Sequence, residues 1–142
     1  MRMSIALLLM VLAAPVAAQS AMDLAPGVYG SAYDPALSCT VNPHRLDVTG
    51  PRPHVELSWE QPAEDPEAGD TVHSRYDVLA ADQGTITLRR EGSGLRADDG
   101  GPVIWVMRLT QNPPGYCWGR TDKPSVHCER PQVRCDSTTP TS

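Results

Sequence analysis

Apolar and polar residues alternate along most of this chain with a period of two. The clearest run lies between residues 71 and 120, where Val72, Ser74, Tyr76, Val78 and Ala80 fall on one side of an extended segment. His73, Arg75, Asp77 and Leu79 fall on the other. Side chains of a strand point alternately to opposite faces, so this is the pattern of a half-buried strand. After Ala81-Asp82-Gln83-Gly84, a turn in which Gly84 can take positive φ, a second strand places Ile86 and Leu88 inward. Glu91-Gly92-Ser93-Gly94 breaks the run. Asp98-Asp99-Gly100-Gly101 has the composition of a type I′ hairpin turn. Val103, Trp105, Met107 and Leu109 then share one face, with Ile104 and Val106 behind them. Asn112-Pro113-Pro114-Gly115 forces a loop, and Tyr116-Cys117-Trp118-Gly119-Arg120 resumes as a strand.

The preceding residues add more strands. Residues 28–33 form a first strand in which Gly30 marks a bulge or a close backbone approach. Residues 45–49 alternate with Leu46 and Val48 inward, and residues 50–53 make a four-residue hairpin loop. Residues 54–60 set Val55, Leu57 and Trp59 against His54, Glu56, Ser58 and Glu60. Residues 61–70 read as a polar loop. About seven or eight short strands with turn signals between them define an all-β fold. It is a single small antiparallel up-and-down barrel, or a strongly curled meander sheet.

Residues 1–18 stand apart. Arg2, the apolar run 5–12 and the small residues Val16-Ala17-Ala18 have the form of a cleavable secretory signal peptide. The apolar run is too short to anchor the chain in a bilayer. The expected division is a signal peptide at 1–18, a flexible leader at 19–27, the barrel-like domain at 28–135 and a disordered Ser/Thr/Pro tail at 136–142. The expected location is the periplasm or the cell exterior, without stable membrane insertion after cleavage. Lys123 is the only lysine among 12 cationic residues, and Ala and Pro are frequent, as in high-GC bacterial coding.

Seventeen acidic residues outweigh the 12 basic ones, for a net charge of −5. With no basic stripe, a nucleic-acid partner is disfavoured. Four cysteines, Cys39, Cys117, Cys128 and Cys135, suit two disulfides in an exported chain. Three pairings are open. Position along the chain favours Cys117–Cys128, closing the loop after the last strand, with Cys39–Cys135 tying an early loop to the tail. The spacing lacks the paired knuckles of a zinc site, so no metal is expected. No glycine-rich loop precedes a helix, so no cofactor is implied.

Trp59 and Trp105 lie on the apolar faces of their strands, where core packing is the simplest reading. Tyr116, Trp118 and Arg120 share a face and are the candidate ligand-binding residues. Two rings beside a guanidinium can grip an anionic or aromatic ligand. The plain alternative is Arg120 stacked on Trp118 to cover a sheet edge. The acidic residues Glu64, Asp65, Glu67 and Asp70 read as a solvated loop rather than a Ca²⁺ site. His44, His54, His73 and His127 are scattered and read as surface residues.

Gly27-Val28-Tyr29 at the head of a meander is similar to the opening of lipocalin-like and avidin-like barrels, and the Cys-rich end resembles small periplasmic inhibitor barrels in outline. These resemblances imply architecture and no site residues. The functional expectation is a non-catalytic module that binds a small molecule in a barrel mouth or an envelope protein at an open edge. The alternatives are a small hydrolase using a histidine and a carboxylate, and an envelope assembly protein.

Overall fold

The structure is a computed structural model that describes residues 19–123 and 128–135. The expected signal peptide at 1–18, His127 and the expected disordered tail at 136–142 lie outside the described residues. A short helix α1 (Ala21–Leu24) precedes eight strands: β1 (Gly27–Ser31), β2 (His44–Thr49), β3 (His54–Asp65), β4 (Gly69–Ala81), β5 (Thr85–Arg90), β6 (Trp105–Gln111), β7 (Pro114–Arg120) and β8 (Glu129–Arg134). A 3₁₀ turn (Pro35–Leu37) interrupts the β1–β2 loop. Each strand pairs antiparallel with the next, and β8 returns to pair with β1, closing an up-and-down barrel. Closure satisfies the outer strands and removes the sheet edge on which a partner strand could add.

The inward parity is the one the alternation predicts. Leu46, Val55, Leu57, Tyr76, Ile86, Leu88, Met107 and Tyr116 form the buried core with Tyr29. An eight-stranded barrel is just wide enough for such side chains to fill it. Outward positions carry Arg45, Glu56, Arg75, Asp77, Arg89 and Arg108. Cross-strand ion pairs join Arg75 to Glu56 and Arg89 to Asp77.

The structure corrects the expected outline in several places. Residues 61–70 are no loop: β3 and β4 run on as a long hairpin, with a register shift between Ser58 and Ala63 and a turn only at residues 66–68. Main-chain hydrogen bonding carries this ribbon past the end of its apolar alternation. The β4–β5 turn owes its shape to the Asp82 carboxylate, which accepts from the Gly84 and Thr85 N–H groups. Gly84 does not adopt positive φ. At the Asp98-Asp99-Gly100 loop only Gly100 has positive φ, at 83°. It is therefore a three-residue turn ending in a left-handed glycine, not type I′. Asn112-Pro113 is a two-residue turn with a cis peptide bond between those residues.

Residues 19–27, expected to be a flexible leader, pack against the barrel. Ala21 and Ala25 are fully buried, and the Ala21 N–H donates to the Asp82 carbonyl at 2.8 Å. Arg134, at the end of β8, donates to the Leu24 and Pro26 carbonyls and to the Tyr29 hydroxyl. Its guanidinium lies 5.0 Å from the Tyr29 ring centroid. The turns after β2, β4 and β6 gather at this plugged end. The loops after β1 and β5 and the tip of the β3–β4 hairpin lie at the other, where β7 ends and β8 begins.

The cysteines pair as Cys39–Cys135 and Cys117–Cys128. The β1–β2 loop folds back over β1, so that a Cβ on Gly30 would collide with the Cys39 backbone. Gly30 thus marks a close approach. A Cβ on Gly115 would strike the Gln132 carbonyl of β8. Gly30→Ala and Gly115→Ala are each expected to lower the unfolding free energy by about 1–3 kcal/mol or more in urea denaturation, because backbone must move to admit the methyl group. The Cys39–Cys135 bond spans 96 residues. Replacing both cysteines by Ser is expected to cost about 4–5 kcal/mol in the same assay, against about 2–3 kcal/mol for the shorter Cys117–Cys128 loop.

Candidate functional site

The interior is filled from the plugged end to the level of Tyr29, Leu46 and Met107, and above them opens a cavity of about 70 Å³. β2 contributes His44, β3 Leu57 and Trp59, β4 Tyr76, β6 Trp105, β7 Tyr116 and Trp118, and β8 Arg130 and Gln132. Tyr33 and Leu37 come from the β1–β2 loop, and Glu64, Asp65 and Pro66 from the tip of the β3–β4 hairpin. The chain has three Trp, four Tyr and no Phe. Six of those seven side chains line the cavity, and the seventh, Tyr29, packs against Tyr116 at 5.0 Å between ring centroids. Every one carries a polar handle, which suits a wall that is apolar on one side and wet on the other.

The rings form one contact chain. Trp118 meets Trp105 at 5.9 Å and Tyr116 at 5.6 Å, both edge to face, and Tyr76 at 5.5 Å. His44 stands between Trp59, at 5.2 Å, and Tyr29, at 5.9 Å. Its Nε2 hydrogen-bonds the Tyr116 hydroxyl at 2.6 Å. His44 is therefore no surface residue: it is 3% exposed. Burial lowers its pKa to about 4, so it is neutral at pH 7. Burial likewise pushes the Tyr116 hydroxyl well above its ordinary pKa. His44 shares the parity of Leu46 and Val48, and that phase was the available signal that it points inward.

The candidate residues separate. Tyr116 and Trp118 both line the cavity. Arg120 is absent from its lining. It lies over Trp105, 5.7 Å from the ring centroid, shares a separate pocket with Trp118, and donates two hydrogen bonds to Asp122 at 2.9 and 2.7 Å. The guanidinium holds the Asp122 carboxyl at about 2. Asp122 thus occupies the donors that an anionic ligand would need. Trp59 and Trp105 are half-buried: they pack against the core, as expected, and also line the cavity.

Three polar groups at this end lack a hydrogen-bond partner among the described residues. They are the indole N–H groups of Trp59 and Trp105 and both carboxylate oxygens of Glu67, all buried. Buried polar groups without partners are rare and costly. Neighbouring charges are paired: Asp65 accepts from Ser74 and Arg90, and Lys123 holds Asp98. Arg130 lies on the cavity wall with φ 49°, a conformation uncommon outside glycine. The sequence placed Glu67 in an acidic run read as a solvated loop, and no pattern marked Arg130; the burial of the Glu67 oxygens and the place of Arg130 follow from the fold of non-adjacent segments.

Among the described histidines, none is bonded to both a carboxylate and a hydroxyl. His54 pairs with Asp77 at 3.0 Å and His73 with Glu56 at 3.7 Å, both on the outer wall. Ligand atoms of His54, Asp77 and Glu91 lie within 4.8 Å of one another. Arg89 and Arg75 already pair with the two carboxylates, and the cluster reads as a cross-strand ion network.

Comparison with protein-family models, curated proteins and solved structures finds no match to this chain. The site is read from its own residues.

His44 sets a pH dependence. Its folded pKa is below the unfolded value of 6.5, so its contribution is complete above pH 6.5 and is lost as pH falls toward about 4. The loss is expected to reach about 3 kcal/mol. Urea denaturation between pH 7 and pH 4 should show it, and His44→Gln should flatten that part of the profile.

Proposed function

We propose that this chain is an exported, non-catalytic binding module whose site is the aromatic mouth of the barrel. The observation that carries the reading is the cavity itself. It opens at one end, is walled by every tryptophan, and has in its walls two tryptophans whose buried indole N–H groups find no acceptor among the described residues. Barrel mouths are frequent ligand sites. A volume of about 70 Å³ is far below the roughly 300–1,000 Å³ that encloses a drug-sized molecule. The fitting occupant is a small molecule or one compact head group.

The export reading rests on the N-terminal pattern of residues 1–18 and agrees with two disulfides, which persist in oxidising compartments. No described helix is long and apolar enough to cross a membrane. The charged outward residues of β2 to β6 are unlike the apolar band of a lipid-facing barrel. The periplasm or the cell exterior is the proposed location. A hydrolase finds no convergent histidine, carboxylate and hydroxyl among the described residues. An assembly surface is not favoured either: exposed Leu24, Tyr33, Val41, Val72, Leu79 and Leu95 are spread over α1, two loops and both halves of β4.

A fragment screen followed by the three indole N–H resonances tests the reading. Binders are expected to shift the signals of Trp59, Trp105 and Trp118 together, and Trp118→Leu to weaken them about tenfold or more. A screen in which no fragment moves these signals overturns it. Expression in a bacterial host should yield a periplasmic product beginning at Gln19, by mass spectrometry.

A further inference from the structure

We infer that the mouth selects a small organic cation, a methylated or protonated ammonium group, held against the aromatic walls beside Glu67. The inference rests on the binding reading above and adds the charge of the ligand.

The ring faces come first. Trp59, Tyr76, Trp105, Tyr116 and Trp118 all line one small space. Aromatic faces carry negative potential, and a cage of them is a recurring receptor for quaternary ammonium groups. The chain already uses its rings in this way: Arg120 lies over Trp105 and Arg134 over Tyr29. His44, at the floor, is neutral at pH 7 and does not oppose a cation.

The charges point the same way. Around the mouth, Arg90 is paired with Asp65, Arg120 with Asp122, and Lys123 with Asp98. Of the remaining groups, Glu64 and Arg130 line the cavity, and Glu67, next to the lining residue Pro66, lies just outside that lining. Two carboxylates against one guanidinium leave a negative residue. The Glu67 oxygens are buried and without a partner among the described residues, which an ammonium group nearby would relieve. Arg130, Trp59 and Trp105 line the same cavity, so a cation that also bears an acceptor oxygen would find donor-bearing side chains beside it.

Size completes the argument. A space of about 70 Å³ is on the scale of one compact head group.

The test titrates the folded, disulfide-bonded protein with tetramethylammonium, choline, the uncharged choline isostere 3,3-dimethylbutan-1-ol, and benzoate, reading tryptophan fluorescence and indole N–H shifts. The cations are expected to bind at least about tenfold more tightly than the neutral isostere. Glu67→Gln is expected to weaken cation binding several-fold while leaving the isostere unchanged. Its melting temperature, read in parallel, should hold or rise, because an unpaired buried charge is removed. The inference is overturned if the isostere or benzoate binds as tightly as the cations, if no cation binds, or if folded Glu67→Gln binds cations as well as the parent. Benzoate or isostere binding with the same indole shifts would leave the binding-module reading standing. A fragment screen silent at all three indoles would remove both.

Discussion

The seam between β1 and β8 is the contact on which the molecule depends. Three residue pairs, Tyr29 with Arg134, Gly30 with Val133 and Ser31 with Gln132, turn a curled meander into a barrel. β8 brings little apolar surface to this seam, so other devices hold it. Arg134 ties β8 to α1 and to the Tyr29 hydroxyl. The Cys39–Cys135 bond straps the β1–β2 loop across the outside. Gly30 and Gly115 let neighbouring backbone come closer than any side chain would allow. A covalent strap, a guanidinium clamp and two missing Cβ atoms do here what hydrophobic burial does on the other strands.

Closure also gives the barrel its polarity. Short turns and α1 fill one end, and the β1–β2 loop, the β3–β4 ribbon and the β5–β6 loop stand at the other, around the cavity. The core rises from the plug through Leu46, Ile86, Leu88 and Met107, then changes character at Tyr29, His44 and Tyr116, where rings with polar atoms replace aliphatic side chains. Above that level the walls are tryptophan and tyrosine. A gradient from dry packing to amphipathic rings within one barrel is what allows a cavity without loss of the core beneath it.

The polar groups of the mouth are of two kinds. Asp65 with Arg90 and Ser74, Arg120 with Asp122, and His44 with Tyr116 are satisfied and hold the walls in place. The Trp59 and Trp105 N–H groups and the Glu67 carboxylate find no partner among the described residues. A buried network of the first kind rigidifies, whereas unpartnered groups of the second kind carry a cost that a ligand can recover. The two sets lie side by side at the open end of the barrel, and the proposed binding reading rests on the second of them.

Local alternation along the chain was sufficient for the strand class, the inward parity of Leu46, Val55, Leu57, Tyr76, Ile86, Leu88 and Met107, the turn at residues 50–53 and the close approach at Gly30. Each depends on a residue and its near neighbours, and the two-residue rhythm of a strand is written locally. It did not reveal β8, whose Glu129-Arg130-Pro131-Gln132-Val133-Arg134 run lacks apolar alternation and becomes a strand by pairing with β7 and β1. Nor did it reveal α1 as a plug, the long β3–β4 ribbon or the burial of His44. The candidate site was legible only in part. Tyr116 and Trp118 could be found from their shared face, but which rings they would meet, and that Asp122 would take Arg120, depended on strand register and barrel closure. Those are long-range pairings, set by residues far apart in the chain, and only the tertiary structure decides them.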